Sequence, residues 1–316
     1  MKILPVVSTK GGEGKSTQSA NLAGFLADAG IRTLLIDGDH AQPTASNIFP
    51  LTYEASAGLF ELLMRTADLS HPDNIISRTA IDGLDLIVSN DPHEQLKTAM
   101  LHAPDGRLRL RNVLQHPLFL NNYDVIVVDS QGARSVMLEM IVLSATDSVV
   151  GMVNPVLPDV REFIRGTVNV MENLLPYREL GIPLPKVRTL VNCMDYTALA
   201  RKTLDELAGI IQTGRYSRQL PEGAVSLLST QIYDLNIYKQ GHAAGQPVHR
   251  LEKESTRRSD SALVTMHSLA CELFPEWKQA FDGLLANGGN TSVIQVKREP
   301  CSSVTLAYGR YQYRTI

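Results

Sequence analysis

Residues 8–17 read S-T-K-G-G-E-G-K-S-T, and this stretch narrows the possible folds more than any other. Gly11, Gly12 and Gly14 let the backbone curl so that successive N–H groups turn inward, as binding of an anionic phosphate requires. Lys15 supplies a positive charge for the β- and γ-phosphates, and the Ser16 hydroxyl can ligate Mg2+. Such a loop works only between a strand and a helix whose N-terminus faces the ligand. Both are present: Ile3–Ser8 is a short apolar, buried-type strand, and a helix is expected from about Ser16 to Ala29, closed by Gly30. The usual phosphate loop has a glycine where Thr9 stands, and here a second lysine, Lys10, follows it. From average residue usage, the K-G-G-x-G-K-[ST] string has odds on the order of 10⁻⁴ of arising by chance.

The remaining apolar runs extend the same architecture. Strands are expected at Arg32–Ile36, Leu84–Val88, Asp124–Val128, Ser148–Val153, Arg188–Val191 and Ala224–Leu228. Helices are expected at about Val160–Leu175, Ala198–Ile211 and Asp260–Leu285, the last interrupted at Pro275. Continuous apolar strands alternating with helices predict an α/β, single-domain P-loop NTPase: a mostly parallel twisted sheet flanked by helices on both faces. That domain is expected over 1–286. Residues 287–316 open with N-G-G-N and end polar and Tyr-rich, which suggests a flexible or loosely attached tail, with an added edge strand or partner-binding segment as the alternative. Two strands end in carboxylates, Asp37 and Asp39 after L-L-I, and Asp129 after V-I-V-V. In a parallel sheet those ends face the ligand crevice, where carboxylates can hold a metal's water ligands and position an attacking water.

Composition excludes several classes. Cys193, Cys271 and Cys301 are far apart and show no C-x-x-C spacing, which argues against metal or redox chemistry and for a reducing cytosol. No apolar run approaches a membrane span, and the first residues are too briefly apolar for a signal peptide, so a cytoplasmic protein is expected. The net charge of −3 speaks against a nucleic-acid binder, yet residues 186–258 carry 11 basic and 7 acidic side chains, a local net of +4.

The K-G-G-x-G-K-[ST]-T loop, the D-x-D at 37–39 and the strand ending in Asp129 resemble the deviant Walker A ATPases, among them ParA partitioning proteins, MinD and the nitrogenase iron protein. The likeness runs over about residues 1–285. Residues 102–112 and 129–139 look most like the ParA-type proteins of integrative and conjugative elements. The resemblance implies that ATP and Mg2+ are the cofactors. It implies that Lys10 crosses a dimer interface to the partner's phosphates, with Lys15 as the loop lysine, Ser16 the metal ligand and Thr17 beside the α-phosphate. Gly11, Gly12, Glu13 and Gly14 complete the cradle. Asp39 would orient the hydrolytic water, and Asp37 and Asp129 would form the metal's outer shell. Asn192 would read the adenine edge, and the segment 245–248, with Pro247, would pack on the base.

This chain departs from the family at three places. H-A-Q-P at 40–43 adds a residue where the family has Pro-Gln or Ser-Gln, and Ser130-Gln131-Gly132-Ala133 replaces the Pro pair that often follows Asp129. Both segments are nucleotide-sensing switches, so binding is better supported than the rate of turnover. Glu13 replaces a commonly apolar residue and is expected to point outward, away from the phosphates.

The resemblance thus implies DNA segregation: an ATP-bound homodimer binds DNA nonspecifically and hydrolysis, slow and stimulated by a centromere-binding ParB-like partner, releases it. Localisation would be cytoplasmic, and nucleoid-associated with ATP. Arg201, Lys202, Arg215, Arg218, Arg250, Arg257 and Arg258 are the candidate phosphate contacts. With Lys10 almost at the start, no helix-turn-helix is expected before the loop, and sequence-specific operator binding is not expected. A MinD-like membrane role would need a basic amphipathic C-terminal helix, but 268–285 carry Glu272, Glu276 and Asp282 against one lysine, Lys278. No membrane partner is therefore expected. A metabolic role of the cobyrinic acid diamide synthase kind would usually bring a glutaminase domain with a nucleophilic cysteine, for which no cysteine here has the setting.

Overall fold

The computed structural model describes residues 1–91 and 93–289, so the expected tail lies outside the described residues from 290 onward. Nine strands form one sheet: β1 (Lys2–Val7), β2 (Thr33–Gly38), β3 (Leu51–Tyr53), β4 (Ser77–Thr79), β5 (Leu84–Ile87), β6 (Val125–Ser130), β7 (Ser148–Val153), β8 (Lys186–Met194) and β9 (Val225–Tyr233). Their order across the sheet is β3-β4-β5-β2-β6-β1-β7-β8-β9. From β5 to β9 every neighbouring pair is parallel; β4 alone runs the other way, antiparallel to both β3 and β5.

Helices fill the crossovers. They are α1 (Lys15–Asp28), α2 (Leu59–Met64), α3 (Leu96–His102), α4 (Arg109–Val113), α5 (Pro117–Asn122), α6 (Val136–Ser144) and α7 (Leu157–Glu162). The second half adds α8 (Asn169–Asn173), α9 (Ala198–Gln212), α10 (Ile237–Ala244), α11 (Val248–Leu251), α12 (Ala262–Leu273) and α13 (Lys278–Ala286). None among the described residues is long and apolar enough to cross a membrane.

The central strands are apolar up to their C-terminal ends because both faces are covered. Along β6, Ile126 and Val128 enter one core with α6 (Met137, Met140, Ile141), while Val125 and Val127 enter the other with α1 (Leu22, Phe25, Leu26). The period of two along the strand assigns each side chain its core. Phe25 is fully buried, with its ring centroid 5.8 Å from that of Phe281 on α13. Burial of such a side chain contributes about 1.5–3 kcal/mol, so the last helices are anchored on α1 as part of the same domain.

The expected strands all form, and β9 runs on to Tyr233. Two features were not anticipated. β3 and β4, three residues each, are too short to show a period. The helix expected over 160–175 is broken by a π-helical turn at Phe163–Val168 between α7 and α8. Gly166 is what permits the turn's close approach, since a Cβ there would sit on the Thr9 hydroxyl.

Candidate nucleotide site

The loop leaves β1 and enters α1 through Gly12 and Gly14, with φ of 80° and 78°, a left-handed region in which side chains other than glycine's are strained. Gly14 is the residue before α1, whose first turn has neither a side-chain cap nor an acidic residue. Helices usually satisfy their four leading N–H groups with such groups. Here the amides and the positive end of the helix dipole stay available to an anion. A cavity of about 440 Å³ opens over them, walled by Gly11, Gly12, Gly14 to Thr17, Asp39 and the segment Ser130–Ala133.

Lys15 is almost fully buried, and its Nζ donates to the Lys10 carbonyl at 3.0 Å, across the mouth of the loop. Burial lowers its pKa, against the pull of the Asp129, Glu13 and Asp39 carboxylates. Parallel pairing sets Asp37 of β2 directly beside Asp129 of β6. Asp37 accepts from the Ser46 backbone N–H at 2.7 Å, the Ser46 hydroxyl at 2.8 Å and the Asp39 N–H at 3.1 Å, yet burial pushes its pKa up to about 6. Asp129 is fully buried and accepts from Ser19 Oγ at 3.2 Å through Oδ1. Its Oδ2 has no hydrogen-bond partner among the described residues, and burial with the neighbouring Asp37 charge raises its pKa to about 7. Two adjacent buried carboxylates with an orphaned oxygen suit a divalent cation, which would provide the missing partner and favour both charges. Asp39 stands at the rim, where its Oδ1 accepts the Ala41 and Gln42 N–H groups and fixes the turn containing the extra residue.

Lys10 leans away from this cavity onto the buried Asp159 of α7, whose other oxygen accepts from Asn154 Nδ2 at 3.2 Å. The Asp159 hydrogen bond raises the lysine pKa. Beside it Glu162 Oε1 accepts from the Thr9 hydroxyl at 3.0 Å and from Arg134 Nη2 at 3.1 Å, tying α7, the loop and the segment after β6 together. Gly132 of that segment lies so close to the loop that a Cβ would come within 2.6 Å of the Lys10 carbonyl.

Glu13 does not point outward. Its side chain is 2% exposed, and Oε2 accepts from the Ser8 hydroxyl at 2.5 Å. The positive φ at Gly12 turns the chain inward just before it. Burial raises the Glu13 pKa to about 7, so near neutrality it is partly a neutral acid rather than a charge repelling phosphate. The expectation of an outward side chain treated the carboxyl as permanently ionised.

Asn192, at the C-terminal end of β8, lies under the loop. Its Nδ2 donates to the Glu13 carbonyl at 2.9 Å and its Oδ1 accepts from Gln18 at 3.3 Å. Reading an adenine edge would require it to exchange these partners. Pro247 rests on α1, where a Cβ at Gly24 would be 2.5 Å from its ring, and the Val248 N–H donates to Asn21 Oδ1 at 2.8 Å. Neither Asn192 nor Pro247 walls the cavity over the loop. Sequence reasoning missed Ser8, Ser46, Asp159 and Glu162. Asp159 is 149 positions from Lys10, and only its place just past the end of β7 could have pointed to it.

Among the proposed phosphate-contacting residues, Arg201, Lys202, Arg215, Arg218 and Arg258 are exposed. Arg250 is not available, because its guanidinium is committed to the buried Asp28 carboxylate at 2.5–2.6 Å. Arg257 is exposed but pairs with Glu252.

A glycine-rich loop feeding an uncapped helix, with two carboxylates at adjoining strand ends, defines a P-loop nucleotide-binding protein. A family model described as an AAA domain matches residues 1–159, half of the chain. The chain belongs to that family. Among curated proteins it resembles the tyrosine-protein kinase CpsD of Streptococcus pneumoniae, at 35% identity over 130 residues, 41% of this chain and 52% of the kinase. The chain thus spans about half the length of the first curated relatives it matches. The fold is also that of apo McdA from Cyanothece, with a TM-score of 0.65 at 20% identity over 91% of this chain and 99% of that one. A putative plasmid partition protein from Borrelia burgdorferi B31, bound to AMPPNP, shares it with a TM-score of 0.58 at 20% identity, over 86% and 98% of the two chains.

Proposed function

We propose that this chain is a Mg2+-dependent ATPase of DNA partitioning. Its ATP-bound homodimer would hold DNA nonspecifically and let go on hydrolysis, with a ParB-like protein stimulating turnover. The observation that carries the nucleotide half is the uncapped N-terminus of α1 facing the paired Asp37 and Asp129 carboxylates. The loop amides and Lys15 would bind the phosphates once Lys15 leaves the Lys10 carbonyl. Ser16 would hold the cation directly, with Asp37 and Asp129 holding its waters; the cation supplies charge neutralisation. Asp39, at the cavity rim, would orient water, and Thr17 would contact the α-phosphate. The DNA half is supported by the likeness to a plasmid partition protein and by the exposed Arg201, Lys202, Arg215, Arg218 and Arg258. The test is binding to nonspecific DNA in ATP, in ADP and without nucleotide, beside Lys15→Ala, with turnover followed in the same samples. Binding that needs both ATP and Lys15 supports the reading; equal binding in every nucleotide state, or none, sinks it.

A second reading is favoured by one observation. The CpsD relative is a tyrosine kinase, and Tyr308, Tyr311 and Tyr313 fall within the last nine residues of this sequence. On that reading the γ-phosphoryl group passes to a tyrosine hydroxyl of this chain instead of to water. A mass gain of one or more phosphates after incubation with ATP, lost in the triple Tyr→Phe variant, would favour it over partitioning.

A further inference from the structure

His267 and Cys271 stand one turn apart on α12, and Asp282 of α13 reaches the same point. His267 Nε2 is 2.8 Å from Asp282 Oδ1 and 3.6 Å from Cys271 Sγ. The three potential ligand atoms all lie within 4.8 Å of one another. We propose that His267, Cys271 and Asp282 form a Zn2+ site that staples α12 to α13.

The arrangement has a local cause. Residues four apart share one helix face, and the turn at Pro275–Trp277 folds α13 back so that its second turn passes that face. Zinc takes sulfur at about 2.3 Å and imidazole nitrogen at about 2.0–2.1 Å, which at a tetrahedral angle puts the two ligands about 3.5 Å apart. The observed sulfur–nitrogen separation already meets that. The His267–Asp282 separation, 2.8 Å, has to open by about half an ångström to the tetrahedral N···O distance, which rotation of the half-exposed Asp282 side chain can supply. One thiolate, one imidazole and one carboxylate suit zinc, whereas Mg2+ and Ca2+ take all-oxygen sets. The carboxylate is also oriented. Lys278 Nζ donates to Asp282 Oδ2 at 2.6 Å, which leaves Oδ1 toward His267 and Cys271, as supporting hydrogen bonds to ligating carboxylates do.

Binding displaces the Cys271 thiol proton to solvent, and the neutral His267 ring gives up its Nε2 proton and takes one on Nδ1 through solvent, so that the His267–Asp282 hydrogen bond is replaced by two metal bonds. The fourth tetrahedral position is left to water. None of the three residues walls the phosphate cavity, so the site is separate from the nucleotide's. It would hold in place the helix whose Phe281 packs on Phe25 of α1.

The test uses the full chain, reduced and freed of metal with chelator, titrated with Co2+ and then Zn2+. The expected result is one equivalent of Co2+ giving a thiolate-to-cobalt charge-transfer band and tetrahedral d–d absorption, both abolished by Zn2+. Zn2+ should also raise the melting temperature. Cys271→Ser should lose the band and weaken Zn2+ binding at least about tenfold. His267→Gln, checked by far-UV circular dichroism to be folded, should do the same, and Cys193→Ser should leave both intact. Absence of a charge-transfer band in the wild type, or its persistence in Cys271→Ser, would overturn the proposal.

Discussion

The Lys10 ammonium is held by Asp159, a residue 2% exposed that is also braced by Asn154. A lysine meant to reach a partner's phosphates must first leave this carboxylate. A pair with one half-exposed member is worth up to about 1 kcal/mol, and its removal favours the released state by about fivefold. A symmetric dimer releases two such lysines, so Asp159→Asn should lower the concentration at which the ATP-bound dimer forms by up to the square of that factor, about 25-fold, as measured by sedimentation equilibrium. A weaker dimer would mean that Asp159 supports the dimer instead of competing with it.

Lys15→Ala separates binding from folding. The variant loses one hydrogen bond to the Lys10 carbonyl but no longer buries an ammonium, so nucleotide-free stability should change by less than about 1 kcal/mol. In the wild type, Mg-ATP at a hundred times its dissociation constant should add about 2.7 kcal/mol. Thermal unfolding with and without Mg-ATP should show that increment vanishing in the variant.

The nucleotide-free protein should lose stability as pH rises. Glu13, Asp129 and Asp37 have folded pKa values near 7, 7 and 6, above their ordinary 4.5, 3.8 and 3.8. Between those limits the folded state binds more protons than the unfolded one, so these groups contribute stability at low pH that is lost up to about pH 7 and then levels off. His249, whose pKa is lowered by burial, acts in the opposite sense below pH 6.5. Glu13→Gln isolates one share: relative to wild type it should gain on the order of 1–3 kcal/mol from pH 5 to pH 8. Urea unfolding at both pH values measures it, and parallel pH profiles would refute the assignment.

Reversing charge on α9 tests the DNA surface. Arg201 and Lys202 are exposed at its first turn. If both contact phosphates, Arg201→Glu with Lys202→Glu should flatten the log–log salt dependence of DNA binding by about 2 and leave ATP binding unchanged. An unaltered slope would move the contact surface toward Arg215, Arg218 or Arg258.

What could be read from sequence was what is local. The loop at 8–17 and the strands ending at Asp37 and Asp129 carry their signal in consecutive residues, and the parallel order follows from strands apolar on both faces. Glu13 was misread because its environment is made by Ser8 before it and Asn192 far after it, and burial of the carboxyl changes its charge. Asp159 and Glu162 were invisible because nothing in α7 is patterned; they matter through the chain crossing that lays α7 beside the loop. Arg250 read as surface charge because Asp28, which claims it, lies 222 positions away.

α1 is gripped at both ends. Asn192 packs against Gly14 at its start, while at its end Asp28 accepts from Arg250 and pairs with the fully buried His249, at 2.8 Å. Fourteen residues make a rod of about 21 Å, too stiff to absorb a displacement along its length. A phosphate that draws the front of this strut forward must also draw on α11 at the back, and load applied to the rear helices must reach the phosphate seat. Since binding energies couple symmetrically, any ligand that steadies the rear should tighten hold of nucleotide at the front, and nucleotide should repay it by the same factor.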